Sequence, residues 1–92
     1  MANEEHLKIL KQGVEAWNQW REKNSKITPD FIDAHLSGAN LAGANLSGAN
    51  LKETTLDGAI LAGAIYDKKT MFSDTLNQEK LDKMEMILSK KS

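Results

Sequence analysis

The stretch Ser37-Gly38-Ala39-Asn40-Leu41-Ala42-Gly43-Ala44-Asn45-Leu46-Ser47-Gly48-Ala49-Asn50-Leu51, SGANLAGANLSGANL, writes one five-residue unit three times. Five matches neither the 3.6-residue turn of a helix nor the two-residue alternation of a strand. Leu41, Leu46 and Leu51 can therefore share one interior only if the chain turns a corner between each leucine and the next. The neighbours fit that demand. Alanine stands two residues before each leucine, leaving room in a narrow interior, and glycine stands two residues after Leu36, Leu41 and Leu46, where a corner needs unusual backbone dihedrals.

Read outward, the same spacing runs through Phe31, Leu36, Leu41, Leu46, Leu51, Leu56, Leu61, Tyr66 and Met71. Ala34, Ala39, Ala44, Ala49, Thr54, Ala59 and Ala64 hold the small position, and Gly38, Gly43, Gly48, Gly58 and Gly63 the corner. The unit is interrupted at Lys52-Glu53-Thr54-Thr55 and fades after Tyr66, where Lys69 takes an alanine slot. The pattern predicts a solenoid of short straight sides over residues 29–73.

The unit Ala-Asn-Leu-x-Gly resembles that of the pentapeptide-repeat family. The lead-in GVEAWNQWREKN (residues 13–24) is similar to the N-terminal helix of small bacterial members. The resemblance spans roughly residues 4–73. It implies a β-solenoid, a short right-handed quadrilateral β-helix with one pentapeptide per side. Four sides per turn would stack residues twenty apart at about 4.8 Å. Leu36 would lie on Leu56, Leu41 on Leu61, Leu46 on Tyr66 and Leu51 on Met71, giving about two coils with Leu36, Leu41, Leu46, Leu51, Leu56, Leu61 and Tyr66 as their core.

So thin a stack leaves unpaired backbone at both ends and needs covers. Residues 4–24 read as one helix. Leu7, Leu10, Val14 and Trp17 form one stripe with Ile9, Gly13, Ala16 and Trp20 beside it, and Glu4, Lys8, Lys11, Glu15, Asn18, Gln19 and Glu22 lie opposite. Gly13 costs about 1 kcal/mol relative to alanine inside a helix, which points to close approach of another backbone. Pro29 ends the segment. A second helix is expected over 75–89, with a Thr75-Leu76-Asn77-Gln78 capping box, a stripe of Leu76, Leu81, Met84, Ile87 and Leu88, and Lys90 and Lys91 at its negative end. Leu10, Val14, Trp17 and Trp20 are assigned to capping the first coil, and the C-terminal helix to the second. The whole, residues 1–92, reads as a single domain.

Composition narrows the function. With 12 basic and 13 acidic side chains the net charge is −1, so no global field draws nucleic acid or an anionic membrane. The absence of cysteine removes disulfides, thiolate chemistry and cysteine-based zinc sites. The start MANEEHLK is no signal peptide and no apolar run reaches the roughly 18 residues of a bilayer span, so a cytoplasmic location is expected. Asn45-Leu46-Ser47 matches a glycosylation sequon that means nothing without secretion. The interior leaves no pocket for an acid, base or nucleophile, so neither an enzyme nor a cofactor is expected. His6 reads as solvated or adjacent to the cap. His35 with Asp33 and Asp57 is a poor metal set on a flat side. The glycines follow the corner period and form no phosphate loop. Trp17 and Trp20 belong to a capping core, and Asn40, Asn45 and Asn50 to corner hydrogen bonds.

One outward face stands apart. Asn40, Ala42 and Gly43 lie over Ile60, Ala62 and Gly63, and Ile65 continues the face onto the next side, with no charge in it. Isoleucine replaces Asn40 and Asn45 twenty residues on. The patch Ala42, Ile60, Ala62 and Ile65 is either covered by the chain's own C-terminal helix, used by a protein partner or homo-oligomer, or simply exposed. The expected function is a non-enzymatic scaffold working through such contacts, without nucleic acid or membrane. The resemblance offers an alternative, a DNA mimic that modulates a type II topoisomerase. Such a mimic wants a long acidic rod, whereas residues 31–66 carry Asp33, Glu53 and Asp57 against Lys52, a net of −2.

Overall fold

Parallel bridges between residues twenty apart organise the chain. The computed structural model describes residues 2–74, 76 and 78–89. Isolated bridges join Asp30 to Asn50, His35 to Thr55, Asn40 to Ile60 and Asn45 to Ile65. They recur every five residues, the arrangement of a β-helix. Within each rung the backbone alternates: Leu41 N–H donates to Ile60 C=O at 2.7 Å, and Ile60 N–H donates back to Ala39 C=O at 2.8 Å. Leu36, Leu41, Leu46, Leu51, Leu56, Leu61 and Tyr66 are all buried, with Ala34, Ala44, Ala49 and Ala64 beside them. Thr54 occupies an alanine slot and survives burial because its hydroxyl donates to Phe31 C=O at 2.6 Å.

The corners explain the glycines. Gly38, Gly43, Gly48, Gly58 and Gly63 have φ between 72° and 76°. Asp33 and Glu53 adopt φ of 63° and 61° at the same place in the period. The interruption at Lys52-Glu53 therefore changes the residue and keeps the shape.

Regular strands appear where the stack is three deep. β1 (Asn50–Leu51) pairs in parallel with β3 (Met71–Phe72), and β2 (Ile65–Tyr66) pairs in parallel with β4 (Ile87–Leu88). The expected stacking of Leu51 on Met71 is corrected here. Leu51 partners Phe72, and Met71 partners Asn50. A turn from Asp67 to Thr70, closed by Thr70 N–H to Asp67 C=O at 3.0 Å, adds one residue and moves the register. Phe72 then meets Tyr66 edge-on at 5.5 Å between ring centroids.

The single N-terminal helix is corrected to two, α1 (Glu4–Lys11) and α2 (Val14–Lys23). Gly13 has φ of 120°, which helical backbone cannot hold, and it serves as the N-cap of α2. No atom lies within 4 Å of where its Cβ would be, so Gly13 is there for its dihedrals and not for close packing. Asn3 caps α1, its Oδ1 accepting from Glu5 and His6 N–H at 2.9 and 3.1 Å. Leu10 and Trp17 are buried, and Val14 and Trp20 pack against the same core.

The helix expected over 75–89 is also corrected. A six-residue helix, α3 (Gln78–Lys83), is followed by a turn at Glu85, whose φ of 59° brings the chain back to extended form. Glu85 C=O accepts from Gly63 N–H at 3.0 Å, Ile87 N–H donates to Ala64 C=O at 2.8 Å and Ser89 N–H to Tyr66 C=O at 2.7 Å. These bonds outweigh the helical stripe of Ile87 and Leu88, since a rung offers backbone partners that a free helix end lacks. The capping box at Thr75 and Asn77, and Lys90 and Lys91, lie outside the described residues.

Candidate interaction surfaces

Two surfaces carry the molecule's unusual chemistry. The first is the outward face around Ile60 and Ile65. In the first coil the corresponding asparagines support their own corners. Asn40 Oδ1 accepts from Ala42 N–H at 3.2 Å, Asn45 Oδ1 from Ser47 N–H at 3.1 Å, and Asn50 Oδ1 from Lys52 N–H at 3.1 Å. Isoleucine cannot make that bond, so Ile60 and Ile65 give up corner support and put apolar surface outside. Ile60 is 51% exposed, and Ala42 and Ala62 are exposed beside it. Ile65 is half-buried and pairs with Ile87, which is 54% exposed. Paired residues of parallel strands face the same side, so Ile65 and Ile87 form a ladder with Ile60 on the neighbouring side. α3 does not lie over this patch. It borders a groove over the Leu56 side, lined by Glu53, Leu56, Ala59, Leu76, Lys80 and Met84.

The second surface is the seam between the helices and the free edge of the first coil. Each rung leaves one residue whose N–H and C=O point away from the second coil. At Asn45 these are met by α2: the N–H donates to Asn18 Oδ1 at 2.8 Å, and the C=O accepts from Trp17 Nε1 at 2.8 Å. Asn18 Nδ2 also donates to Gly43 C=O at 3.0 Å. Arg21 is buried, its Nη2 donating to Ser47 C=O at 3.1 Å and its Nη1 to Asn24 and Ile27 C=O at 3.1 and 2.7 Å. Burial pushes the Arg21 guanidinium down and the charge of Asp67 opposes that. At Asp30, the C=O accepts from Asn3 N–H and the N–H donates to His6 Nδ1, both at 3.0 Å.

Asp67 holds the opposite, second-coil side of the Gly48 corner. Desolvation raises its pKa, but bonds from the N–H groups of Gly48, Lys69 and Thr70 and from the Thr70 hydroxyl leave the carboxyl below its ordinary value. Sequence patterning places Asn18 in water and gives Asn3, Arg21 and Asp67 no role; the signal available for the helical residues was a helix meeting a backbone edge, which needs polar side chains. Of the two readings of His6, solvated or cap-adjacent, the second holds: the ring is buried and accepts from Asp30 N–H. His35 is exposed, and among the described residues no group of three or more His, Cys, Asp or Glu side chains is placed to hold a metal ion. No helix among those residues is long and apolar enough to cross a membrane.

Comparison with known proteins agrees with this geometry. Residues 30–65 match the family model described as pentapeptide repeats, in 8 copies. No curated protein matches the chain. The chain is similar to the crystal structure of alr5209, a pentapeptide repeat protein from Nostoc Pcc 7120, at 38% identity and a TM-score of 0.56, over 61% of this chain and 44% of that one. It thus spans less than half the length of that relative.

Proposed function

Taking as premise that the chain is a pentapeptide-repeat protein, we propose that it is a non-enzymatic scaffold that associates with a protein partner or a second copy through the Ile60 face. Its repeats are read as about two coils of a right-handed, four-sided β-helix, with α1 and α2 as the cap of the first coil and α3 as a cover for part of the second. The observation that carries the reading is the replacement of corner-bonding asparagine by exposed isoleucine at position 60. A side chain that gives up a hydrogen bond and leaves half of its apolar surface in water raises the free energy of the isolated molecule. A contact with another molecule recovers it.

The double variant Ile60→Asn/Ile65→Asn tests this reading. Light scattering at two concentrations and capture from a lysate should show a lost partner or a halved mass, with the melting temperature held or raised by the restored corner bonds. A melting temperature that drops without any change in association would assign the isoleucines to internal packing.

A further inference from the structure

His6 sits at the junction of α1, α2 and the first rung. Asn50 pairs with Asp30 through Phe31 N–H and Pro29 C=O, so the N–H and C=O of Asp30 itself project from the open edge. The Asp30 N–H donates to His6 Nδ1 at 3.0 Å. A ring nitrogen that accepts carries no proton, so the bound imidazole is neutral with its hydrogen on Nε2. A proton on Nδ1 would set one N–H against another. The ring is buried and lies 5.0 Å from the Trp20 ring, tilted by 56°.

We propose that His6 is an acid-sensitive latch, which holds α1 on the first coil while neutral and releases it when protonated, uncovering the backbone edge at Asp30. The charged groups facing it divide. Asp30 on the first rung and Glu5 on α1 favour protonation, whereas Arg21 on α2 opposes it. Burial is the largest influence and also opposes the charge, leaving the group below its ordinary value of 6.5. The sign follows from linkage. Above roughly pH 6.5 docked and released forms are both neutral at His6 and the latch is fully present. As the pH falls below that value the released form takes the proton first, and docking weakens by up to about tenfold per pH unit until the docked form is protonated too.

The test uses the full chain. Trp17 and Trp20 are its two tryptophans and both lie in the seam, so their emission reports undocking. Between pH 7.5 and 5 the wild type should lose melting temperature and its emission should shift to the red. His6→Asn, which keeps an acceptor near the Nδ1 position and does not titrate, should be flat over that span. His35→Asn should behave as the wild type. A flat wild-type profile, or the same loss in His6→Asn, overturns the latch. Should His6→Asn fail to fold, NMR titration of the His6 ring in the wild type decides: an apparent pKa at or above 6.5 refutes the proposal, and one below it supports it.

Discussion

The two ends of the stack are finished by different means. At the first coil, side chains of α1 and α2 hydrogen-bond directly to edge groups of Asp30, Gly43, Asn45 and Ser47. At the second, the chain itself returns as β3 and β4 over two sides, while α3 and the apolar Leu76 and Met84 stand over the Leu56 side. One end is closed by donors and acceptors on a helix, the other by more of the same backbone and a patch of grease. The first solution fixes orientation because each bond has a direction. The second fixes it only on the two strand-covered sides, and its apolar side tolerates sliding.

This contrast can be broken most forcefully at Trp17, which is fully buried, stacks on Trp20 at 5.1 Å and also donates to Asn45 C=O. Trp17→Ala should cost about 3–5 kcal/mol by urea unfolding, more than Leu81→Ala at the other end. Equal costs would mean that the two ends are not finished differently after all. Asn18→Ala tests direction without removing much volume. It strands Asn45 N–H and Gly43 C=O and should cost about 1–3 kcal/mol, while Asn40→Ala, which loses one exposed corner bond, should lie below about 1 kcal/mol in the same assay. The last effect has the opposite sign. Glu53 holds φ of 61° at a corner where other units use glycine, so Glu53→Gly should stabilise by about 1 kcal/mol, read as a raised melting temperature.

What could be read from the sequence divides along the same line. The interior and the corners were legible because each unit repeats the same local problem: Leu inside, Ala beside it, Gly at the turn. The family match over residues 30–65 supports that part. The break at Gly13 was not legible, since a glycine inside a helical pattern is tolerated as often as it interrupts, and only the left-handed φ decides. Nor was the return of Ile87 and Leu88 to strand form. Their helical spacing is real, yet it lost to backbone partners supplied by residues more than twenty positions earlier. Asn18 was misassigned by the rule that polar helical faces look at water. That rule describes helices packed on side chains, and this one is packed on main chain. The candidate face was found because Ile60 and Ile65 depart from Asn40 and Asn45, but its extension to Ile87 depended on a pairing that only the fold reveals.

The turn at Asp67–Thr70 has a consequence beyond its own bonds. One added residue acts on the repeats as a frameshift acts on a message: every position downstream changes meaning. Met71, inside by the count of fives, is read as outside, and Phe72 takes the interior. Anyone lengthening this protein by splicing further units after Tyr66 must therefore choose a frame. Units counted from Leu61 would continue the old phase, while units counted from Phe72 would continue the shifted one.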